Sequence, residues 1–510
     1  MTDLTVISAA RATLPDTPFA ARHLIDGVWC DSADGATFDR VSPSHGHVVT
    51  KAAKGGAKDV AHAIEAARLA FDAGTWSRSS GKDRAALLLK VADLIDRECE
   101  RIAMMETLES GKPISQAKAE IEGAADLWRY AAALARTMHG ESHNTLGDNM
   151  LGVVLKEPIG VVSIITPWNF PFLIVSQKLP FALAAGCTAV VKPSEMTPAT
   201  TVILGELLVE AGLPAGVVNI VLGYGEPVGT AMTTDSRVDM VTFTGSTGVG
   251  KAIVKAAAAT LKKVSLELGG KNPQVIFPDA DLNSAVDAVV FGVYFNAGEC
   301  CNSGSRILVH EDIAEDFIAR TVALSRDVPF GDPLDPDTKV GAIITPQHQE
   351  KIDSYVKEAA KSGAQVRLGG APLSVAGLDG QFYQPTVVAD VTRDMPIARE
   401  EVFGPVLSVL TFSSLEEAIS LVNDAEYGLS AGVWSENVHT CLEFALRAQA
   451  GTVWTNTWMD GYAELPFGGV KESGQGRELG RYGLDEFLEA KTVTMRIGRT
   501  RAPWVQPRTD

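Results

Sequence analysis

Two neighbouring stretches carry side chains that could do covalent chemistry. VSLELGGKNP (264–273) contains Glu267, and FNAGECCNSGSR (295–306) contains the pair Cys300 and Cys301, with Cys301 thirty-four residues beyond the carboxylate and glycines throughout. A thiol beside a carboxyl group is what a thioester-forming oxidation needs. The thiol attacks a carbonyl carbon, and the carboxylate takes a proton from the attacking group or from the water that later releases the acyl product. Taken alone, either cysteine would serve equally well as a core thiol, and Glu267 as a solvated strand end.

Two further motifs look chemical. TPWNFPF (166–172) sets Asn169 between aromatics after an apolar run. An amide N–H paired with a backbone N–H would stabilise an oxyanion, an effect worth about 3–4 kcal/mol per donor; the plainer reading is a helix cap. VDMVTFTGSTGVGKAIVKAAAA (238–259) reads as strand, glycine turn and helix, with Gly245 and Ser246 at the helix start, where backbone N–H groups and the helix dipole would face a diphosphate. Its plainer reading is a turn with Ser as N-cap. VVKPSE (190–195) ends a strand in a polar turn, so Lys192 and Glu195 could bond a ribose. A carboxylate there repels a 2′-phosphate and so favours NAD over its phosphorylated form.

The elements that must position these groups follow from patterning. At 510 residues the chain exceeds one core, so two or more domains are expected. Residues 57–138 repeat apolar positions at helical spacing. From 153 onward, short β-rich runs alternate with helices in two series joined near 268–272, the pattern of α/β sheets of the doubly wound kind. FLEAKTVTMRI at the end reads as an extended strand in need of a partner, in this chain or another.

Composition narrows the partners. With 45 Lys plus Arg against 63 Asp plus Glu, the net charge is −18, which repels phosphate backbones and anionic lipids, so neither nucleic acid nor membrane is an expected partner. No apolar run is long enough to span a bilayer, no secretory leader is recognisable, and a cytoplasmic location is expected. Six scattered cysteines make no disulfide framework, and no CxxC or HxxxH pairing supports a metal site.

Taken in order, TPWNFPF, VVKPSE, FTGSTGVG, LELGGKNP, FNAGECC, EEVFGPV (400–406) and PFGGVKESGQGRELG (466–480) resemble the aldehyde dehydrogenase superfamily over about residues 20–500. The resemblance implies NAD(P)-dependent oxidation of an aldehyde to a carboxylic acid. It also implies a Rossmann-like NAD-binding domain (20–139 and 160–268), an α/β catalytic domain (269–484) and a small β oligomerisation element (140–159 and 485–500) in a homodimer or homotetramer, the terminal strand pairing across a subunit interface. On this resemblance Cys301 is the nucleophile, Asn169 and the Cys301 N–H form the oxyanion hole, and Glu267 is the base for hydrolysis. Lys178 and Glu478 match a polar pair behind the site. For NAD, Lys192 and Glu195 would hold the adenosine ribose, Ser246 the diphosphate and Glu401 the nicotinamide ribose. Ile165, Thr166, Pro167, Trp168, Gly225, Gly245, Leu268 and Phe403 would form the surrounding walls.

Departures from the family sharpen the expectation. The family often carries Gln where this chain has Glu299, a carboxylate that would raise a neighbouring thiol if it pointed inward; it is expected to point away. Members that acylate coenzyme A typically lack the Glu267 carboxylate, so its presence favours hydrolysis, and the intact triad argues against a silent scaffold. Substrate contacts are expected from Phe170, Gln177, Cys300, Asn302, Trp458, Asp460 and Phe467. Gln177 replaces the Arg of semialdehyde-type members. These residues would suit a broad range of aliphatic or aromatic aldehydes, or alternatively betaine aldehyde or an aminoaldehyde held by aromatic faces and Asp460.

Overall fold

In the computed structural model, residues 4–8, 14, 16–498 and 504–505 are described. Strands Val161–Ile165, Thr188–Lys192 and Met240–Thr244 are buried at every position, because both faces of their sheet are covered. That sheet has eight strands in the spatial order Gly474–Gln475, Lys263–Glu267, Met240–Thr244, Val161–Ile165, Thr188–Lys192, Val218–Ile220, His23–Ile25, Val28–Cys30. Its five central strands are parallel. Numbered along the chain they run 5-4-1-2-3, so the order reverses between Val161–Ile165 and Met240–Thr244. A crevice opens at such a switch point, at the carboxyl ends of the strands.

The helical periodicity of 57–138 is realised as Ala57–Ala73, Gly81–Arg97, Cys99–Ser110 and Ile114–Thr137. The apolar faces of the last three pack with helix Pro171–Ala185 into one core on this sheet, whereas Ala57–Ala73 buries its own against Val161, Ile165, Val190 and Val241 in a separate cluster.

A second, seven-stranded sheet runs Gln365–Leu368, Thr386–Ala389, Val406–Phe412, Arg306–His310, Pro273–Ile276, Ser430–Trp434, Thr452–Thr455, parallel except for its first strand, and it has its own core. The chain crosses from the first sheet at Glu267 to the second at Pro273. Carboxyl ends of one sheet therefore meet amino ends of the other. One crossing was not legible in advance: Gly474–Gln475 returns from the second half to pair antiparallel with Leu266 and Glu267.

The terminal strand Leu488–Arg496 pairs antiparallel with Met150–Pro158 over nine residue pairs within the same chain, and Glu141–His143 completes a three-stranded sheet. The strand expected to pair across a subunit interface thus has a partner within this chain along one edge, while its other edge is, among the described residues, the outer edge of the sheet. Residues 499–500 of that expected element lie outside the described residues. No helix among the described residues is long and apolar enough to cross a membrane.

Candidate active site

The switch-point crevice is a cleft of about 710 Å³. Ile165, Thr166, Pro167 and Trp168 line it from one strand end, Lys192 and Glu195 from the next, and Gly245 and Ser246 from the start of helix Thr247–Ala257, with Gly225 at the rim. Its volume is that of a small-molecule or cofactor site. Ser246 occupies the N-cap position, yet its side chain makes no capping bond, so the helix start keeps donors to spare. The buried hydroxyls of Thr166 and Thr244 have no protein partner. Lys192 Nζ lies 3.7 Å from Glu195, and burial lowers the lysine below its ordinary value.

Leu268, Glu401 and Phe403 do not line this cleft. Leu268 is packed beneath Gly250 of the helix, because the absent side chain there leaves a slot for a leucine. Glu401 sits against Gly269 and accepts from the Gly270 N–H at 3.1 Å. Burial pushes its carboxyl up to about 7. Phe403 meets Trp168 edge-on, with ring centroids 5.5 Å apart. His348, which no motif had marked, closes the triangle: it lies 6.0 Å from Trp168 and donates through Nε2 to the Phe403 carbonyl at 2.6 Å. Burial lowers it to about 4, so it is a neutral ring at neutral pH.

Glu267 ends its strand beside Thr244 and is 4% exposed. Neither carboxyl oxygen has a protein hydrogen-bond partner. Burial first, then the Glu478 carboxylate, push its pKa well up, and Lys178 opposes them. Lys178, 1% exposed, pairs with Glu478 and donates to the Thr242 hydroxyl at 3.0 Å. Cys301 is half-buried, and all six cysteines are free thiols. The Cys300 thiol and then burial push the Cys301 thiol well above its ordinary 9.0, and Glu401 and Glu478 add to the rise. Glu267 and Cys301 are close enough to feel each other's charge. Asn169, 4% exposed, donates through its side-chain amide to the Glu299 carbonyl at 3.0 Å. The carbonyl of Cys301 accepts from Asn272 at 2.8 Å, which fixes the Cys301 loop to the start of the second sheet.

On the other side of the thiols is an apolar wall. Phe170, Ile174 and Cys300 form a buried cluster, packed by Leu173, Phe295 and Met459. Phe170 and Phe295 stack with centroids 6.0 Å apart and planes at 21°. The Cys300 thiol donates to Asn302 at 2.7 Å, so that residue joins the wall's edge. Gln177 lies one helical turn beyond Leu173 on Pro171–Ala185.

Trp458, Asp460 and Phe467 complete the expected contacts. Trp458 is buried in the second core, filling the slot left by Gly292, Gly304 and Gly432 and packed on Trp454. Left-handed backbone at Met459 (φ 62°) is what presents the neighbouring residue instead. Asp460 is exposed, its carboxylate bound to the Thr457 hydroxyl and its carbonyl to the Trp454 indole. Phe467 packs against the first core and bridges Glu478 through its backbone. Phe295 carried one readable signal, its place six residues before Cys301; Met459 carried none.

A sequence model described as the aldehyde dehydrogenase family matches residues 29–493. The chain belongs to the aldehyde dehydrogenase family. It is 43% identical to a betaine aldehyde dehydrogenase of Bacillus subtilis over 470 residues, 92% of this chain and 96% of that one. Among solved structures, an NAD-dependent aldehyde dehydrogenase from Sinorhizobium meliloti matches with a TM-score of 0.96 at 52% identity, covering 98% of this chain and 99% of the other. A betaine aldehyde dehydrogenase from Staphylococcus aureus in complex with NAD+ matches with a TM-score of 0.93 at 40% identity, covering 96% and 97%. The enzyme's fold is therefore the aldehyde dehydrogenase fold, and its class is that of oxidoreductases acting on aldehydes.

Proposed function

We propose that this enzyme oxidises apolar aldehydes, aliphatic or aromatic, to carboxylic acids with NAD, through a covalent adduct on Cys301 and hydrolysis of the resulting thioester. The observation that carries this reading is Glu267: a buried carboxyl group with neither oxygen bonded to protein, within electrostatic reach of the Cys301 thiol. A structural carboxylate would be bonded. An unbonded one is held in reserve.

The chain's own groups divide the work. Glu267 takes the thiol proton, and its raised pKa brings it towards the matched range in which general bases work best. The sulfur adds to the carbonyl carbon, and the oxyanion receives the Cys301 N–H and the second N–H of the Asn169 amide, its first being spent on the Glu299 carbonyl. NAD, when bound, accepts the hydride. The Glu478–Lys178–Thr242 row behind Glu267 offers the thiol proton a buried route away, after which Glu267 takes a proton from the water that attacks the thioester and the Cys301 sulfur departs as the acid is released. The cleft suits NAD because Ser246, the helix start, Thr166 and Thr244 supply unspent donors, and because Glu195 disfavours a 2′-phosphate. The three-part division at 20–139 and 160–268, 269–484, and 140–159 and 485–500 is the matching domain reading, supported by the three sheets. The exposed terminal strand is the surface we assign to assembly as a homodimer or homotetramer.

A second reading, betaine aldehyde or an aminoaldehyde, is favoured by the stacked Phe170 and Phe295 faces and by the betaine aldehyde dehydrogenases among the relatives. Asp460, tied to Thr457, adds nothing to it. NADH release from a panel of neutral, cationic and acidic aldehydes, repeated with NADP, separates the readings. Preference for the cationic members over neutral ones of equal size would replace the first by the second. No NADH from any aldehyde would remove both.

A further inference from the structure

The turn that delivers Cys301 is built from sparsely populated backbone. Asn296, Ala297 and Gly298 are consecutive residues with φ of 51°, 56° and 74°, and two of them carry side chains. A Cβ at Gly298 would collide with the Gly404 carbonyl. Backbone of this kind persists only where its surroundings over-determine it.

Glu299, the next residue, is the point where those restraints converge. Its N–H donates to the Asn296 carbonyl at 2.9 Å. Its carbonyl accepts from the side-chain amides of Asn169 at 3.0 Å and Asn296 at 3.1 Å. The Asn296 amide also reaches the Asn169 carbonyl, at 3.1 Å. Its carboxyl oxygen accepts from the buried Ile344 N–H at 3.0 Å, and the residue is 2% exposed. The carboxyl group is thus turned away from Cys301 and pinned to a different part of the second half of the chain.

We propose that Glu299 is a positioning residue for the reaction: by anchoring to Ile344 it fixes the peptide that aims the Asn169 amide and the Cys301 N–H at a common point. This rests on the oxidation of an aldehyde at Cys301 proposed above. The logic is one of two hydrogens. The Asn169 amide has two, and the Glu299 carbonyl takes one of them, so the direction of that carbonyl sets where the other points. Any residue at 299 would supply a carbonyl. Only one whose side chain accepts from Ile344 holds that carbonyl against the strained turn before it. Burial raises the Glu299 carboxyl well above its ordinary range, and it faces Arg40, Lys112 and His348 rather than the thiol. What the Ile344 N–H takes from it is an accepting oxygen, so a glutamine of the same shape would do the same work.

E299Q and E299M test this, because both fill the volume and only Gln can accept from Ile344. In stopped-flow assays with NAD bound beforehand, E299M should release its first-turnover NADH about 10- to 100-fold more slowly, with little change in KM for aldehyde or NAD. E299Q should stay close to wild type. Circular dichroism and thermal unfolding establish which variants fold, and E299A replaces E299M if the latter does not. Wild-type burst rates in E299M, or equal losses in E299Q and E299M, would overturn the positioning role. So would failure of both E299M and E299A to fold, which would make the residue structural. If wild-type enzyme releases no NADH with any aldehyde, the proposed activity falls and this role with it; normal wild-type turnover with an unaffected E299M removes the positioning role alone.

Discussion

Replacing Glu267 by Gln separates the two proton transfers assigned to one carboxylate. The Cys301 thiol is held above its ordinary 9.0. At pH 7.5, without a base, its thiolate fraction is then below about 1 in 30. E267Q should accordingly slow the NADH burst by at least about 30-fold at pH 7.5, and the burst should recover about tenfold per pH unit towards alkaline pH as solvent removes the proton instead. The steady-state rate should fall by about 10²- to 10⁴-fold, the usual worth of a general base, so acyl-enzyme accumulates. Rapid mixing with an apolar aldehyde, followed at the NADH absorbance from pH 6.5 to 9.5, reads both phases. A wild-type burst at pH 7.5 would refute Glu267 as the thiol's base, and an unchanged steady state would refute its role in hydrolysis. The same variant has a stability signature. A carboxyl whose folded pKa is raised above its unfolded value of about 4.5 binds more protons in the native state, so its contribution to stability falls as pH rises from 4.5 to the folded pKa. Gln removes that loss without breaking a hydrogen bond. E267Q should therefore gain thermal midpoint over wild type at pH 8 relative to pH 5, and a gain that shrinks with pH would contradict the raised pKa.

Cys301→Ala should abolish NADH production while binding of NAD, measured by calorimetry, persists; turnover in that variant would shift the nucleophile to Cys300. Lys178→Met leaves Glu478 buried without its partner and should cost about 3–5 kcal/mol in denaturant unfolding, most of which the double change with E478Q should restore. Glu195→Gln should raise the ratio of kcat/KM for NADP over NAD by about tenfold, equivalent to ~1.4 kcal/mol of relieved repulsion; an unchanged ratio would mean that Glu195 does not face the ribose.

What the sequence determined by itself was the chemistry and its order along the chain. Glu267, Cys301 and Asn169 lie in glycine-rich or strand-end segments whose local patterns can be read without tertiary contacts. The alternation of apolar runs and helices sufficed for two α/β sheets and their junction near Glu267. Helical spacing sufficed for 57–138. What only the tertiary structure decided was which side chains face one another. Met459 rather than Trp458 packs on the Phe170, Ile174 and Cys300 cluster, and three glycines far apart in sequence leave a slot for the indole. His348 joins Trp168 and Phe403 only through the meeting of both halves. The terminal strand finds Met150–Pro158, more than three hundred residues earlier, through a nine-residue ladder between segments that only the folded chain brings together. Glu299 is expected from the sequence to point away from the thiol, but its partner, the Ile344 N–H, is a backbone group that no side-chain pattern announces. Motifs record what a residue can do chemically. Burial and the long-range meeting of backbone groups determine whether it is charged, where it points and what it is free to bind.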